Sequence, residues 1–532
     1  MRGLKASVSL LSFVMLIGLW AAPMALAAEK PQYGGIVNVA LAGDPPSLDM
    51  HQESTFLVQI PMAPAYNNLV EFDPHGYPNI VGDVAKSWTV SDDHRTYTFT
   101  LHEGVKFHDG SELTSADVKA SFDRIVSPPE GVISPRRSYY VAVKSIEAPD
   151  RYSVVFRLHH PSPSFLSMVA NPYNWILAKK YLDQDVNYYK SHEMGTGPFK
   201  LKNYVRGSYM EMERNPEYWK QGLPHMDGIT YFIIKDTSAR ANAIRSGRVD
   251  VEFRGLPPSD VDAIKAQLGN KIVVTYPRAL FNWGVGVNVD KKPFDDERVR
   301  KAMTLGIDRY DMAKTLAPLT GLETIGGLMH TDTPWALSGE ELQALPGYGR
   351  AHEANLREAK RLLAEAGYPN GFQTVLTNRN VKLPYIDLGV YLISSWKKIG
   401  VEAEHKVEES ATWSKTRLTR DFELLLDPYG STMIGDPDEL MVKFMTGGST
   451  NFGRFSEPAA DALFEQQKTE VDAQKRVQRV TEMQKRVLEK AWWLPGLWWT
   501  RAEVRSARIR NYEPLPGHHQ NRRLEDVWLA QQ

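Results

Sequence analysis

The sequence predicts an α/β protein of more than one domain, and three observations carry that reading. Strand and helix patterns recur along the whole chain, turn and cap residues punctuate them, and 532 residues exceed what one hydrophobic core supports. Two or three domains are therefore expected. No fixed-period repeat or low-complexity linker interrupts the succession.

The first clear elements are strands. "RTYTFTL" sets Tyr97, Phe99 and Leu101 against threonines, and "YSVVFRL" alternates Tyr152, Val154, Phe156 and Leu158, the period of two that marks a half-buried strand. Between them lies "GVKFHDGSELTSADVKASFDRI", residues 104–125, which places His108 beside Asp109. Asp109-Gly110 is a turn dipeptide, and Thr114 with Asp117 fits a capping box for a helix carrying Val118, Phe122 and Ile125. Adjacent residues on an extended chain point to opposite sides, which suits a shared catalytic site poorly. The stretch reads as a turn into a helix. "ITYFII", residues 229–234, is apolar throughout, as a strand covered on both faces is. Residues 353–366 carry Leu356, Leu362, Leu363 and Ala366 among charges and stop at Gly367 with Pro369 beyond, a helix with its C-terminal signal. Residues 472–491 put Val477, Val480, Met483, Val487 and Ala491 on one helical face, a packing stripe.

The N-terminus places the protein outside the cytoplasm. Arg2 and Lys5 precede an apolar run to Ala22, a breaking Pro23, and Ala25-Leu26-Ala27, the small residues a signal peptidase accepts. Ser9 and Ser12 interrupt the run, which falls short of the ~20 residues that span a bilayer. Residues 1–28 read as a signal peptide rather than an anchor. The chain has no cysteine, so disulfides, thiolate metal sites, a cysteine nucleophile and the lipid attachment of a lipoprotein are all excluded. An exported, untethered protein points to a periplasm closed by an outer membrane. Removing residues 1–28 takes Arg2 and Lys5 from the 63 basic residues and no acid from the 64, leaving 61 against 64 and a net charge of −3. Nothing in that balance favours nucleic acid or an anionic membrane surface.

Enzyme signatures fail on inspection. His-Glu pairs occur at 102, 192 and 352, but the fourth position after each histidine is Lys106, Thr196 and Leu356, so no zinc-protease helix is present. There is no G-x-S-x-G elbow and no Gly-Lys dipeptide for a Walker A loop. "GTGPF" from Gly195 is too short for a dinucleotide fingerprint. His159-His160 and His518-His519 read as solvated loop pairs. No catalytic residue, metal or cofactor is expected.

Seven segments in order then resemble one family: "YGGIVNVALAGDPPSLD", "VAKSWTVSDDHRTYTFTLHEGVKFHDGSELTSADV", "GTGPFKLKNYVRGSYMEMERNPEYW", "SGRVDV", "KPFDDERVRKAMTLGIDR", "AKRLLAEAGYPNGF" and "WKKIGVE". They reach from Gly34 into the last part of the chain and are similar to the family 5 extracellular solute-binding proteins, the dipeptide, oligopeptide and nickel type that serve ABC importers. The resemblance implies a two-lobed periplasmic binding protein of α/β class, with a hinge and an additional inserted domain, enclosing ligand between its lobes. It places the first lobe at 29–69, 190–285 and 495–532, the insert at 70–189 and the second lobe at 286–494. It implies a monomer that captures a peptide-sized or other small organic solute and delivers it to an inner-membrane permease and ATPase. Presentation of ligand to a chemoreceptor and a periplasmic hydrolase are the alternative uses; the missing nucleophile and zinc motifs speak against the second.

Ligand-binding candidates follow from positions that match the family's cleft segments. "LFNWGVGVNV" puts Asn282 and Trp283 before the crossing into the second lobe, and "AWWLPGLWWTR" puts Trp498 and Trp499 on the returning strand, where neighbours face opposite ways. Trp492 and Trp493 read as core. Trp413, Asp44 and Tyr429 also fall in cleft segments, and each has a structural alternative. In "LLLDPYGSTMIGDPDEL" peptide-binding relatives carry an aspartate about four residues before the proline of "DP", where it meets the ligand's amino terminus; counting back from Pro437 gives Met433, or Thr432 with an insertion. Asp427 or Asp44 are the acids available to replace it. Arg136 and Arg137 in "SPRR" come from an inserted-domain segment that approaches the cleft in relatives, and an arginine fork suits carboxylate or phosphate.

Overall fold

The computed structural model describes residues 29–277, 281–430, 435–448, 450–514 and 523–531. The expected signal peptide, Met433 and the His518-His519 pair lie outside them. Among the described residues no helix is long and apolar enough to cross a membrane.

Two large sheets organise the chain. The first has seven strands in the order Ile272–Thr275, Glu503–Ser506, Val251–Glu252, Ile36–Leu41, Gly228–Ile233, Tyr209–Arg214 and Phe199–Val205. Ile36–Leu41 is its parallel heart, paired in the same direction with both Gly228–Ile233 and Val251–Glu252. The apolar run around 229–234 is less evenly covered than its composition predicts: Ile229 and Tyr231 are buried, whereas Thr230, Phe232 and Ile233 are half-buried. The second sheet has six strands in the order Leu322–Thr324, Trp493–Trp499, Phe281–Val287, Leu424–Gly430, Phe372–Arg379 and Val401–Glu408. Helices His352–Glu365 and Ala473–Glu489 accompany this second half; Val480, Met483 and Val487 are buried, as the helical stripe requires.

A third, four-stranded antiparallel sheet orders Ala85–Val90, Thr96–Leu101, Ser153–Leu158 and Val143–Asp150. Tyr97, Phe99 and Leu101 are buried and the intervening threonines half-buried, so the period of two is realised. Helix Ser115–Val126 carries the capping box of Thr114 and Asp117 and packs Val118, Phe122 and Ile125 into this sheet's core. His108 and Asp109 turn away from each other. His108 Nδ1 pairs with Glu193 at 2.6 Å and Nε2 with the Gly197 carbonyl at 3.0 Å, while Asp109 accepts from Ser111 and from the Tyr181 hydroxyl at 2.9 Å.

The strand pairing corrects two expected boundaries. Phe281–Val287 and Trp493–Trp499 are hydrogen-bonded to each other along their length, from Asn282 opposite Trp498 to Gly286 opposite Trp493. Boundaries at 285 and 495 would cut through both strands and divide one ladder between two bodies. The crossings between sheets fall instead after Thr275 and after Trp499. Period-two reading locates a strand but carries no information about which sheet it joins.

Candidate ligand-binding site between the two sheets

The strands beside the crossings present two faces, and the sequence candidates divide between them. Asn282, Trp498 and Tyr429 are cross-strand neighbours and so share one face. Asn282 is fully buried, yet among the described residues neither its Nδ2 nor its Oδ1 has a hydrogen-bond partner. Trp498 is equally buried, meets the His330 ring edge-on at 5.0 Å, and leaves Nε1 without a hydrogen-bond partner among the described residues. Gly326 makes room for that indole, because a Cβ there would lie 2.7 Å from Nε1. Tyr429 is anchored: its hydroxyl donates to the Leu440 carbonyl at 2.9 Å and its ring packs on Phe444 and Trp493.

The opposite face carries Trp283 and Trp499, perpendicular at 6.0 Å. Trp283 meets Tyr385 edge-on at 4.3 Å and sits in the second sheet's apolar core with Val285, Leu494 and Leu497. That placement buries it among apolar side chains, as a core tryptophan is, although its Nε1 has no hydrogen-bond partner among the described residues. Tyr385 continues to Trp413 at 6.2 Å, and the guanidinium of Arg417 lies over Trp413 at 4.8 Å. Trp499 donates Nε1 to the Thr320 carbonyl at 2.7 Å.

The charged candidates are mostly committed elsewhere. Arg136 is buried and donates to the carbonyls of Met50, His51 and Glu53 and to Ser54 Oγ, which ties the inserted segment to the 50–54 loop instead of freeing a fork for ligand. Arg137 is exposed. Asp44 accepts from the Tyr204 hydroxyl at 3.0 Å and the Gly207 amide at 2.7 Å, so it fastens a hairpin of the first sheet. Asp427 is buried and accepts from Arg417 at 3.3 Å; desolvation pushes its carboxyl above the usual range, against the pull of Arg417 and Lys443. Neither acid is a free anchor for a ligand amine.

Two arginines escaped the sequence reading. Arg254 follows strand Val251–Glu252 and places its guanidinium over Phe56 at 5.1 Å and Trp499 at 5.0 Å. Arg379 ends strand Phe372–Arg379, donates Nε to Ser410 Oγ at 2.8 Å, and lies over Tyr385 and Trp413. Both stand at the carboxyl ends of strands with parallel neighbours, where open α/β sheets receive their ligands. That position is the signal that points to them.

Comparison with known proteins agrees with this architecture. Residues 79–452 match the family described as bacterial extracellular solute-binding proteins, family 5 Middle. The glutathione-binding protein GsiB of Salmonella typhi is 29% identical over 366 residues, 67% of each chain. Heme-binding protein A of Haemophilus influenzae is 28% identical over 483 residues, 85% of this chain and 84% of the relative. Among solved structures, the binding protein AgaA from A. tumefaciens R10 in complex with agropinic acid superposes with a TM-score of 0.80 at 25% identity, covering 94% of this chain and 99% of that one. The matched region spans more than half of the sequence and contains the second sheet's central strands, and the chain belongs to the family 5 bacterial extracellular solute-binding proteins.

Proposed function

We propose that this protein is the solute-capturing component of an ABC importer, working in the periplasm as a monomer without catalysing a reaction, and that it encloses a peptide-sized organic solute between two lobes for delivery to an inner-membrane permease and ATPase. The lobes divide at the crossings after Thr275 and Trp499, with residues 70–189 as the insert. One observation carries the reading. Asn282 Nδ2 and Oδ1 and the indole nitrogens of Trp283, Trp413, Trp493 and Trp498, on and beside the second sheet, are buried without a hydrogen-bond partner among the described residues. Protein interiors pair about nine in ten such atoms, and each one left unpaired costs ~1–3 kcal/mol. Their concentration there suits a surface completed by a bound molecule. A solute that touches both lobes binds the closed arrangement better than the open one and shifts the population toward closure, the shape an importer reads.

GsiB supplies the first compound to try, glutathione. The amine of such a ligand is not its anchor here, because Asp427 is engaged by Arg417 and Asp44 by Tyr204 and Gly207. Native mass spectrometry of freshly purified protein should reveal a co-purified small molecule. Calorimetry should then show unmodified di- and tripeptides binding no better than their N-acetylated forms. Micromolar binding of a free-amine peptide that acetylation abolishes would show that an acid does hold the amine. Turnover of peptides or esters, abolished by replacing His108 or Asp109, would overturn the binding-protein reading itself.

A further inference from the structure

Among the described residues no acid pairs with the charge of Arg254. It is 9% exposed, and among the described residues its guanidinium makes no ion pair and no hydrogen bond; Nη1 is buried without a partner. Its contacts are the rings of Phe56, from the first lobe, and Trp499, at the end of the second sheet's strand. Aromatic rings attract the cation but accept no N–H from its edge, so the donor fork stays uncommitted. The acid two residues earlier in sequence, Glu252, is already taken by Arg240 at 2.9 Å and by the Gly255 amide at 3.0 Å. The other groups that act on Arg254 are cations, Arg240, Arg501 and Arg379, and the neutral Tyr385; burial, with these cations adding to it, drives its proton affinity down to about 9. Arg379 comes from the other sheet and also has no carboxylate within ion-pair reach among the described residues; its partners are Ser410 and Tyr385.

One arginine from each side thus stands on a linked set of rings, Trp499 under Arg254 and Tyr385 under Arg379, both in contact with Trp283. Two like charges in a water-poor site repel, and an uncompensated buried guanidinium is unfavourable. A planar anion between them reverses both effects, since each fork can donate to it. We infer that Arg254 is a carboxylate subsite and closure latch: facing Arg379 it holds the ligand-free lobes apart, and a carboxylate of the solute releases them. This rests on the solute-capture reading above and deepens it, because it makes the transported compound an acid.

The test uses the whole mature protein, stripped of ligand by unfolding and refolding, as wild type, Arg254→Gln and Arg254→Lys. Small-angle scattering should show the wild type and Arg254→Lys extended at low salt and more compact near 1 M salt, where the screening length falls to about 3 Å. Arg254→Gln should be compact under both conditions. Equal dimensions and equal salt response in all three proteins would overturn the latch. Calorimetry with glutathione and short peptides, each as free acid and as carboxamide, should favour the acid by about tenfold or more in the wild type, a preference that Arg254→Gln abolishes and Arg254→Lys partly restores. An acid preference untouched by Arg254→Gln would refute the subsite while leaving solute capture standing. If no compound compacts any of the three proteins, the capture reading loses support, and the salt response still decides the role of Arg254.

Discussion

Two buried charge clusters lie at different junctions of this molecule and are built on opposite principles. At the first, Arg523 from the C-terminal segment meets Asp83 at 2.5 Å, Glu71, and Glu525 at 3.5 Å, while Lys220 reaches Glu525 at 2.8 Å and Asp83 at 3.4 Å. Asp83, Glu71 and Glu525 hold the Arg523 proton well above its ordinary range against the effect of burial, and Glu525 is brought down to about 2 by Arg523 and Lys220, although burial works the other way. At the second, Arg254 and Arg379 lie over aromatic rings and make no ion pair among the described residues. The same residue type is thus completed by the protein in one place and left for another molecule in the other. Complete pairing marks a structural joint, and incomplete pairing in a buried setting marks a site.

That contrast predicts opposite responses to substitution. Arg523→Met strands Glu71, leaves Lys220 as the one cation beside Asp83 and Glu525 among the described residues, and should cost ~3–5 kcal/mol of stability, with a matching fall in Tm and unchanged affinity in the protein that remains folded. An unmoved Tm would show that the joint is not structural. Trp283→Ala tests the face assignment. It should cost roughly 3 kcal/mol by opening a cavity beside Val285 and Leu497, and a variant that keeps its Tm but loses affinity would return Trp283 to the cleft.

A third test concerns the joint between the insert and the first lobe. His51 is buried with Nε2 2.8 Å from the Trp175 carbonyl, and desolvation, reinforced by Arg124 and Arg136, lowers its pKa from 6.5 to about 3. The folded protein therefore binds this proton less readily than the unfolded chain. The resulting stability is present above pH 6.5 and is lost as pH falls toward 3, by about 1.4 kcal/mol per unit at most. Melting curves of wild type and His51→Gln should diverge over that window, the wild type losing more; parallel curves would exclude His51. The smallest stability effect is expected at Asn282. Leucine there removes two unpartnered polar atoms, so ligand-free stability should change by less than about 0.5 kcal/mol or rise, while affinity falls about tenfold or more. A large loss of stability with affinity spared would make Asn282 an ordinary core amide.

Much of the local structure was legible. Thr114 and Asp117 spelled out a helix start, the Tyr97, Phe99 and Leu101 alternation named the buried face, and Asp109-Gly110 announced its turn. Site residues were legible only by type. Asn282 and Trp498 were named and are buried with unpartnered nitrogen, whereas Asp44 and Arg136 bear suitable chemistry and are consumed by Tyr204, Gly207 and the backbone of the 50–54 loop. Arg254, three residues beyond "SGRVDV", drew no notice, since a single arginine after a short apolar strand looks like any surface charge.

What the sequence by itself determined is whatever depends on neighbours along the chain: the periods of its strands and helices, their caps and turns, the lack of any cysteine, and the order of segments that places it in its family. Which sheet claims Phe281–Val287 and Trp493–Trp499, which face Trp283 and Trp498 turn toward, and whether an arginine meets a carboxylate or only rings were decided by tertiary structure alone. The physical reason is that pairing, burial and desolvation depend on groups brought together from distant parts of the chain. Arg254 and Trp499 stand 245 positions apart in sequence and 5.0 Å apart in space.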